Sequence, residues 1–154
     1  MDYQKKLAEF IQNQNIRAEV LVFQTSCHSV EEAAQSANAR IEDFVKNVCI
    51  INEDSGELII AIVPGPKRLD LKKLASLVGT KKLRFAKAEE VLEKTGYPAG
   101  GTPSFGYIAR FFIDNTVMER EIVYSGGGSQ KALTKISPLE IIRINNATKA
   151  DLTK

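Results

Sequence analysis

Two apolar runs separated by a short polar segment constrain the fold of this chain more than any other feature. The runs are "DFVKNVCII", residues 43–51, and "GELIIAIV", residues 56–63. Both are rich in the β-branched and aromatic residues that favour strands. The connection "NEDSG" is polar and ends in Gly56, which adopts a positive φ without steric cost. The pattern therefore predicts an antiparallel β-hairpin.

Lys46 is the residue that does not fit this hairpin. Strand side chains alternate between faces, so Lys46 is expected to project together with Phe44, Val48 and Ile50. A lysine is almost never fully buried unless it is paired. The structural interpretation is that its aliphatic stem covers apolar surface while the amine reaches water, which explains most strand lysines. Lys46 becomes a functional candidate only if other features converge on it.

Short helices and strands alternate along the rest of the chain. Capping signals support several helix ends: Ser29 with Glu32 forms a capping-box pattern, Gly79 and Gly96 are suited to terminate helices, and Ser137 precedes Pro138. Helical patterns cover about 3–12, 29–37, 69–79 with Leu71, Leu74 and Leu77 or Val78 as its apolar stripe, 87–96 and 137–145. Strand patterns cover 18–23, 81–86, 107–114 and 117–124, with a turn at Asp114-Asn115 predicted to join the last two as a hairpin.

This order predicts a single α+β domain spanning 1–154, with a largely antiparallel or mixed sheet and helices packed around it. The pattern does not suit a doubly wound parallel sheet. The loop "GGTPSFG" is not a GxGxxG fingerprint and does not lie between a first strand and its helix, so nucleotide binding of that type is poorly supported.

Composition limits the classes of function. The net charge of the 154 residues is only +2, so an anionic partner has to be held by a local patch. Cys27 and Cys49 are expected to be reduced thiols of a cytoplasmic protein, and His28 is the only histidine. We therefore expect no metal site and no cofactor. The start "MDYQKKLAEF" has an amphipathic helix pattern and does not resemble a signal peptide, and no apolar run reaches membrane-spanning length.

Two loops and a set of basic residues are the remaining features. "GYPAGGTPSFG" and "SGGGS" each have an ordinary interpretation, as a rigidified loop and as a flexible connection. The segments "KKLRFAK", Lys67-Arg68 and Lys72-Lys73 are candidates for a basic rim that contacts phosphates, and a solvated surface explains each of them equally well.

Taken together, these features resemble one family. The segment from "LIIAIVPGPKRLDLKKLA" to "TGYPAGGTPSFG", with Lys46 in the preceding apolar strand and "FID" followed by a glycine turn, is similar to the YbaK and prolyl-tRNA-synthetase-associated editing domains, which deacylate mischarged tRNA. The resemblance extends over roughly 20–150. It implies a curved, mixed, mainly antiparallel sheet surrounded by helices, with a pocket at the open face.

The resemblance also implies the site residues. Lys46 takes the position most closely tied to activity. The loop after the helix at 87–96 and the later glycine turn are implied as walls of the substrate pocket, and glycine N–H groups are candidate oxyanion donors. The complete set of substrate-binding candidates is Gly100, Gly101, Thr102, Pro103, Ser104, Phe105, Gly106, Gly126, Gly127, Gly128, Ser129, His28, Asn47 and Asp114. Asn47 is a weaker candidate, since alternation directs it away from Lys46, and turn chemistry alone also explains Asp114.

The chain departs from the family pattern at two points. Ser104 stands where the loop usually has proline, with Pro103 one place earlier, and Gln130-Lys131 stand where several relatives carry a histidine. Both differences fall on the implied pocket wall, so the amino acid removed from the tRNA is left open.

Two functions are compatible with these observations. The first is a trans-acting aminoacyl-tRNA deacylase whose partner is the 3′ acceptor end of aminoacyl-tRNA and in which Lys46 acts electrostatically, with a role as base left open. The second is a non-catalytic module of the same fold that binds a ligand, tRNA or an aminoacyl-tRNA synthetase.

Overall fold

The structure, a computed structural model, describes residues 1–24 and 30–154, and of 30, 31, 33 and 36 the backbone alone. Within these residues the α-helices are α1 (Tyr3–Asn13), α2 (Val30–Ala37), α3 (Leu71–Val78), α4 (Ala88–Thr95) and α5 (Pro138–Asn145). The strands are β1 (Ala18–Val22), β2 (Val45–Asn52), β3 (Leu58–Pro64), β4 (Leu83–Phe85), β5 (Arg110–Asp114), β6 (Val123–Gly126), β7 (Ala132–Ile136) and β8 (Thr148–Ala150).

The predicted hairpin is confirmed and forms the centre of a five-stranded sheet with the order β4-β2-β3-β5-β8. β2 and β3 pair antiparallel, with Lys46 opposite Val63, and Gly56 in the turn has a φ of 76°. β5 and β8 extend the sheet by parallel pairing. Residues 58–63 of β3 are all buried, because this central strand is covered on both faces.

The two faces of this sheet bury separate apolar clusters. Along β3, Ile60 and Ile62 belong to the cluster that contains Leu7 of α1. Ile59 belongs to the opposite cluster, together with Leu74 of α3. Fully burying one such side chain contributes roughly 1.5–3 kcal/mol, so the alternation along β3 fixes which helix covers which face.

A second, three-stranded sheet has the order β1-β7-β6, and both of its pairings are antiparallel. The predicted hairpin between residues 107–114 and 117–124 is wrong, because β5 and β6 lie in different sheets. A 3-10 turn, Asn115–Glu119, separates them. The Asp114 carboxylate accepts a hydrogen bond from the Thr116 N–H at 3.0 Å, which caps this turn and redirects the chain.

The two sheets meet at Phe44 and Tyr124. These residues form an isolated β-bridge, and their rings stack with centroids 5.1 Å apart. Four of the six strand pairings described are antiparallel and two are parallel. The predicted fold class, an α+β protein with a mixed and mainly antiparallel arrangement and helices around it, is therefore confirmed.

Several helix ends follow the sequence signals. Gly79 and Gly96 adopt the left-handed conformation at the ends of α3 and α4, with φ values of 87° and 80°. The Ser137 side chain accepts from the Leu139 N–H at the start of α5. On α3, Leu74 is fully buried, whereas Leu77 is 43% exposed and Val78 completes the apolar stripe. The Ser29 cap lies outside the described residues.

In the described part of the chain, no helix has the length and apolar character needed to cross a membrane.

Glu140 fastens α5 to the start of β1. Its carboxylate accepts from the Arg143 guanidinium at 2.7 Å and from the Arg17 backbone N–H at 2.7 Å. Mainly through the hydrogen bond from Arg143, and also through that from Arg17, the pKa of Glu140 falls from 4.5 to about 2, although burial opposes the change. The folded state therefore favours the ionised form.

We expect Glu140→Gln to lower the free energy of unfolding at neutral pH by about 1.5 kcal/mol, since hydrogen bonds to charged groups contribute on that order. Because the folded pKa is depressed, the difference from wild type should be complete above pH 4.5 and shrink as the pH falls toward about 2. Urea unfolding at neutral pH and near pH 3 measures it. A difference that does not change with pH would contradict this interpretation.

Candidate functional site

A cleft of about 380 Å³ lies between the two sheets. β4 pairs only with residues 50–52 of β2, so this edge of β2 carries no further named strand over residues 45–49 in the described part of the chain. The end of β6, the start of β7 and the loop after α4 lie opposite this edge. The lining is largely apolar and includes Phe44, Val48, Cys49, Phe85, Val91 and Leu133.

Lys46 lines this cleft and is exposed. By alternation it shares a face with Val48 and Ile50, both of which belong to the cluster beneath α3. Phe44 departs from the predicted common face, because it packs against Tyr124 and Leu133 at the junction of the sheets. Burial first, and repulsion from Arg68 second, lower the pKa of the Lys46 amine below its usual value.

Asn47 lines the same cleft from the other face of the strand. Lys46 and Asn47 both reach the cleft, because the cleft runs along the edge of β2 and residues 44–49 all contribute to its wall. The expectation that alternation would keep Asn47 away from the site is therefore wrong in its geometry. Its function in substrate binding stays a prediction.

The Asn47 amide is the centre of a hydrogen-bond network that the sequence pattern did not indicate. Its Nδ2 donates to the Thr102 carbonyl at 2.8 Å and to Ser125 Oγ at 2.9 Å. Its Oδ1 accepts from Ser104 Oγ at 2.7 Å, and the Ser104 and Ser125 hydroxyls are 2.6 Å apart. Both amide hydrogens are engaged, so Asn47 holds the loop after α4 and β6 against β2 and has no free donor for a ligand.

The loop after α4 is divided between the cleft and the core. Gly100 and Thr102 line the cleft. Ser104 and Phe105 are buried behind it, with exposures of 0% and 1%. The Phe105 ring stacks on Phe10 of α1 at 6.1 Å. The other loop candidates, Gly101, Pro103 and Gly106, lie outside the cleft lining and support the wall from behind.

The glycine run at 126–128 is packed against other backbone. Gly126 lines the cleft, and a Cβ at this position would lie 2.0 Å from the Thr102 carbonyl oxygen. The Gly128 N–H donates to the Gly101 carbonyl at 2.8 Å, so it is not free to act as an oxyanion donor. Gly127 and Ser129 lie outside the cleft lining, and Ser129 Oγ accepts from the Gln4 side chain.

Asp114 is not brought to this cleft. Asp114 is 1% exposed, and its carboxylate accepts from the Leu152 N–H at 2.8 Å as well as from Thr116. It stabilises the turn after β5 and the C-terminal segment. His28 lies outside the described residues, as does Cys27. Among the residues that the structure describes, no group of three or more His, Cys, Asp and Glu side chains is arranged to hold a metal ion.

The arrangement offers a cation in a largely apolar cleft that also contains a few polar groups. Among the described residues that line the cleft, Lys46 is the only charged one, and none of them carries a carboxylate or an imidazole. Thr102 and Ser125 supply the other polar side chains next to Asn47. Such a cleft is suited to a ligand with an uncharged part that enters the apolar end and an anionic part that remains near Lys46.

Comparison with protein families identifies one match. A family model described as "Aminoacyl-tRNA editing domain" matches residues 24–144. This range includes Lys46, Asn47, the loop after α4 and the glycine run.

Individual relatives agree with this match. The chain is 25% identical to "Putative Cys-tRNA(Pro)/Cys-tRNA(Cys) deacylase EbsC" of Enterococcus faecalis, over 81% of this chain and 77% of that protein. It is 31% identical to a proline--tRNA ligase of Maridesulfovibrio salexigens, over 75% of this chain but only 20% of the ligase. A solved structure described as "a putative trans-editing enzyme for prolyl tRNA synthetase" superposes with a TM-score of 0.92 at 29% identity, covering 100% of this chain and 98% of the other.

Proposed function

The chain belongs to the aminoacyl-tRNA editing domain family, and from this premise we propose that it is a trans-acting deacylase that hydrolyses the ester of a mischarged tRNA. The observation that carries the proposal is the position of Lys46, a cation at the edge of an apolar cleft whose described lining contains no carboxylate. The match to a trans-editing enzyme over nearly its whole length supports action on tRNA released by a synthetase. An aminoacyl-tRNA synthetase as a direct partner remains a prediction.

The reaction requires a water molecule that attacks the ester carbonyl, and stabilisation of the oxyanion that forms. Lys46 is suited to the second task or to holding the anionic tRNA end, because a cation at the edge of an apolar cleft attracts negative charge more strongly than in bulk water. Asn47 positions the wall that faces Lys46, through Thr102 and Ser125. The uncharged side chain of the amino acid would enter the apolar end near Phe85 and Val91.

One observation favours a second candidate function. Hydrolysis needs a group that accepts a proton, and the described lining offers no Asp, Glu or His for that purpose. In the deacylase, the neighbouring ribose hydroxyl of the substrate would relay the proton, accepting one from the attacking water while giving its own to the departing ribose oxygen, so that no base of the protein is consumed. A module that binds the acylated end without cleaving it needs no base, so it is the alternative.

A deacylation panel separates the two functions. Cys-tRNA(Pro) is tested first because of the name of the Enterococcus relative, followed by tRNA(Pro) and other tRNAs charged with small uncharged amino acids. We expect at least one substrate to lose its amino acid about 10²-fold faster with protein than in buffer. If every ester is cleaved at the buffer rate while the aminoacyl-tRNA still binds, the deacylase proposal is refuted and the binding module is correct.

A further inference from the structure

The turn that follows β3 returns the chain to the Lys46 end of β2. Lys46 pairs with Val63 in the ladder. Just beyond, the Gly65 N–H donates to the Phe44 carbonyl at 2.7 Å, and the Lys67 N–H donates to Pro64 at 3.0 Å. This tight turn is followed directly by Arg68, which is exposed. The turn thereby brings the backbone of Arg68 back toward the strand end that carries the cleft lysine.

The two cations are close enough to affect each other. Repulsion from Arg68 is the second cause, after burial, of the lowered pKa of Lys46. In the described part of the chain, neither side chain has a carboxylate within ion-pair distance, whereas Lys73, Lys82 and Arg84 of the predicted rim do. Lys73 pairs with Asp151 at 2.9 Å, and Arg84 pairs with Glu90 at 2.8 Å.

Two neighbouring positive charges repel each other, which raises the free energy of the protein without a ligand. A bound anion offsets this repulsion. The described lining of the cleft supplies no carboxylate for this purpose. Arg68 is the better suited of the two to a phosphate, because the planar guanidinium donates two parallel hydrogen bonds to two phosphate oxygens. Lys46 adds a point charge from the cleft side.

We propose that Arg68 and Lys46 form a two-cation site for the phosphate of the nucleotide that carries the acyl ester, with Arg68 as a substrate-binding residue at the mouth of the cleft. The identity of the substrate rests on the proposed function. The ester is on the terminal ribose, so the phosphate nearest to it in the chain is the one on the 5′ side of that ribose. Binding this phosphate places the ester over the cleft.

The first experiment measures steady-state deacylation by Arg68→Gln, Arg68→Lys and a control, Arg17→Gln. Like Arg68, Arg17 is exposed and outside the cleft lining, but its charge acts on Glu140 and not on Lys46. We expect Arg68→Gln to raise KM roughly tenfold, as loss of a charge-assisted hydrogen bond does, with little change in kcat. Arg68→Lys should recover part of the affinity. The slope of log kcat/KM against log salt concentration should fall by about 0.7, the value for one contact with a single strand.

The second experiment measures ligand binding alone, without the deacylation reaction. Adenosine 5′-monophosphate and adenosine are titrated into each protein and followed by NMR chemical shifts. The wild type and Arg17→Gln should bind the monophosphate more tightly than the nucleoside, and Arg68→Gln should lose most of this preference.

The outcomes distinguish the two proposals. If the wild type deacylates tRNA but Arg68→Gln has an unchanged KM, salt slope and preference for the monophosphate, the Arg68 site is refuted and the deacylase stands. If no ester is cleaved yet the monophosphate preference depends on Arg68, the anion site stands and the deacylase is refuted. Equal losses in Arg68→Gln and Arg17→Gln would also overturn the site, since they would reflect net charge alone.

Discussion

Replacing Lys46 by alanine is expected to lower the deacylation rate about 10²- to 10³-fold, the usual effect of removing one preorganised group that stabilises developing charge. The free energy of unfolding should change by less than about 0.5 kcal/mol, because Lys46 is exposed and no hydrogen bond or ion pair of its side chain is found among the described residues. Single-turnover deacylation and urea unfolding of the same preparation provide both numbers.

Lys135→Ala is the matched control for this prediction. Lys135 is also an exposed strand lysine, on β7, and it does not line the cleft. It should retain the wild-type rate. If Lys46→Ala deacylates tRNA as fast as Lys135→Ala, Lys46 has no part in the reaction, and the proposed mechanism has to be abandoned even if the protein is a deacylase.

Gly126→Ala should have the largest effect on stability, lowering the free energy of unfolding by about 3 kcal/mol or more. An added Cβ would lie 2.0 Å from the Thr102 carbonyl oxygen and 2.5 Å from its carbon, both of them backbone atoms. Relief of this clash requires β6 or the loop after α4 to move, so the cleft wall should be displaced and deacylation reduced as well. Denaturant unfolding and the deacylation assay test both effects.

Gly56→Ala provides the comparison for a glycine with open surroundings. No atom lies within 4 Å of a Cβ at Gly56, but its φ is 76°. The expected loss is therefore the backbone strain alone, about 1–2 kcal/mol, with an unchanged deacylation rate. Equal losses in the two variants would mean that the contact with Thr102 relaxes without cost.

Local sequence signals predicted the parts of the fold that depend on neighbours in the chain. The β2–β3 hairpin follows from its apolar runs and Gly56, and the ends of α3 and α4 follow from Gly79 and Gly96. The sequence pattern does not indicate β7 or β8. β8 is only three residues long, and its sequence "TKA" has no apolar alternation, so its pairing with β5 depends on the packed sheet.

In the candidate site, too, the sequence predicts what depends on neighbours in the chain and does not predict what depends on packing. Lys46 was singled out because a charge within an apolar strand is visible in the sequence, and it does line the cleft. The network of Asn47, Ser104 and Ser125 joins residues 57, 78 and 21 positions apart, so no local pattern reports it. The signal that was available is the placement of Ser104 where the family has proline, since a buried hydroxyl requires a hydrogen-bond partner.

The pairing of β1 with β7 has a consequence for biosynthesis. β1 pairs with β7, which in turn holds β6 and contributes Ala132 and Leu133 to one side of the cleft. During translation, β1 leaves the ribosome long before its partner is made, and closure of so long a loop delays pairing further. A nascent chain that stops short of Ile136 therefore lacks a complete wall for the cleft, however well its β2–β3 hairpin has folded.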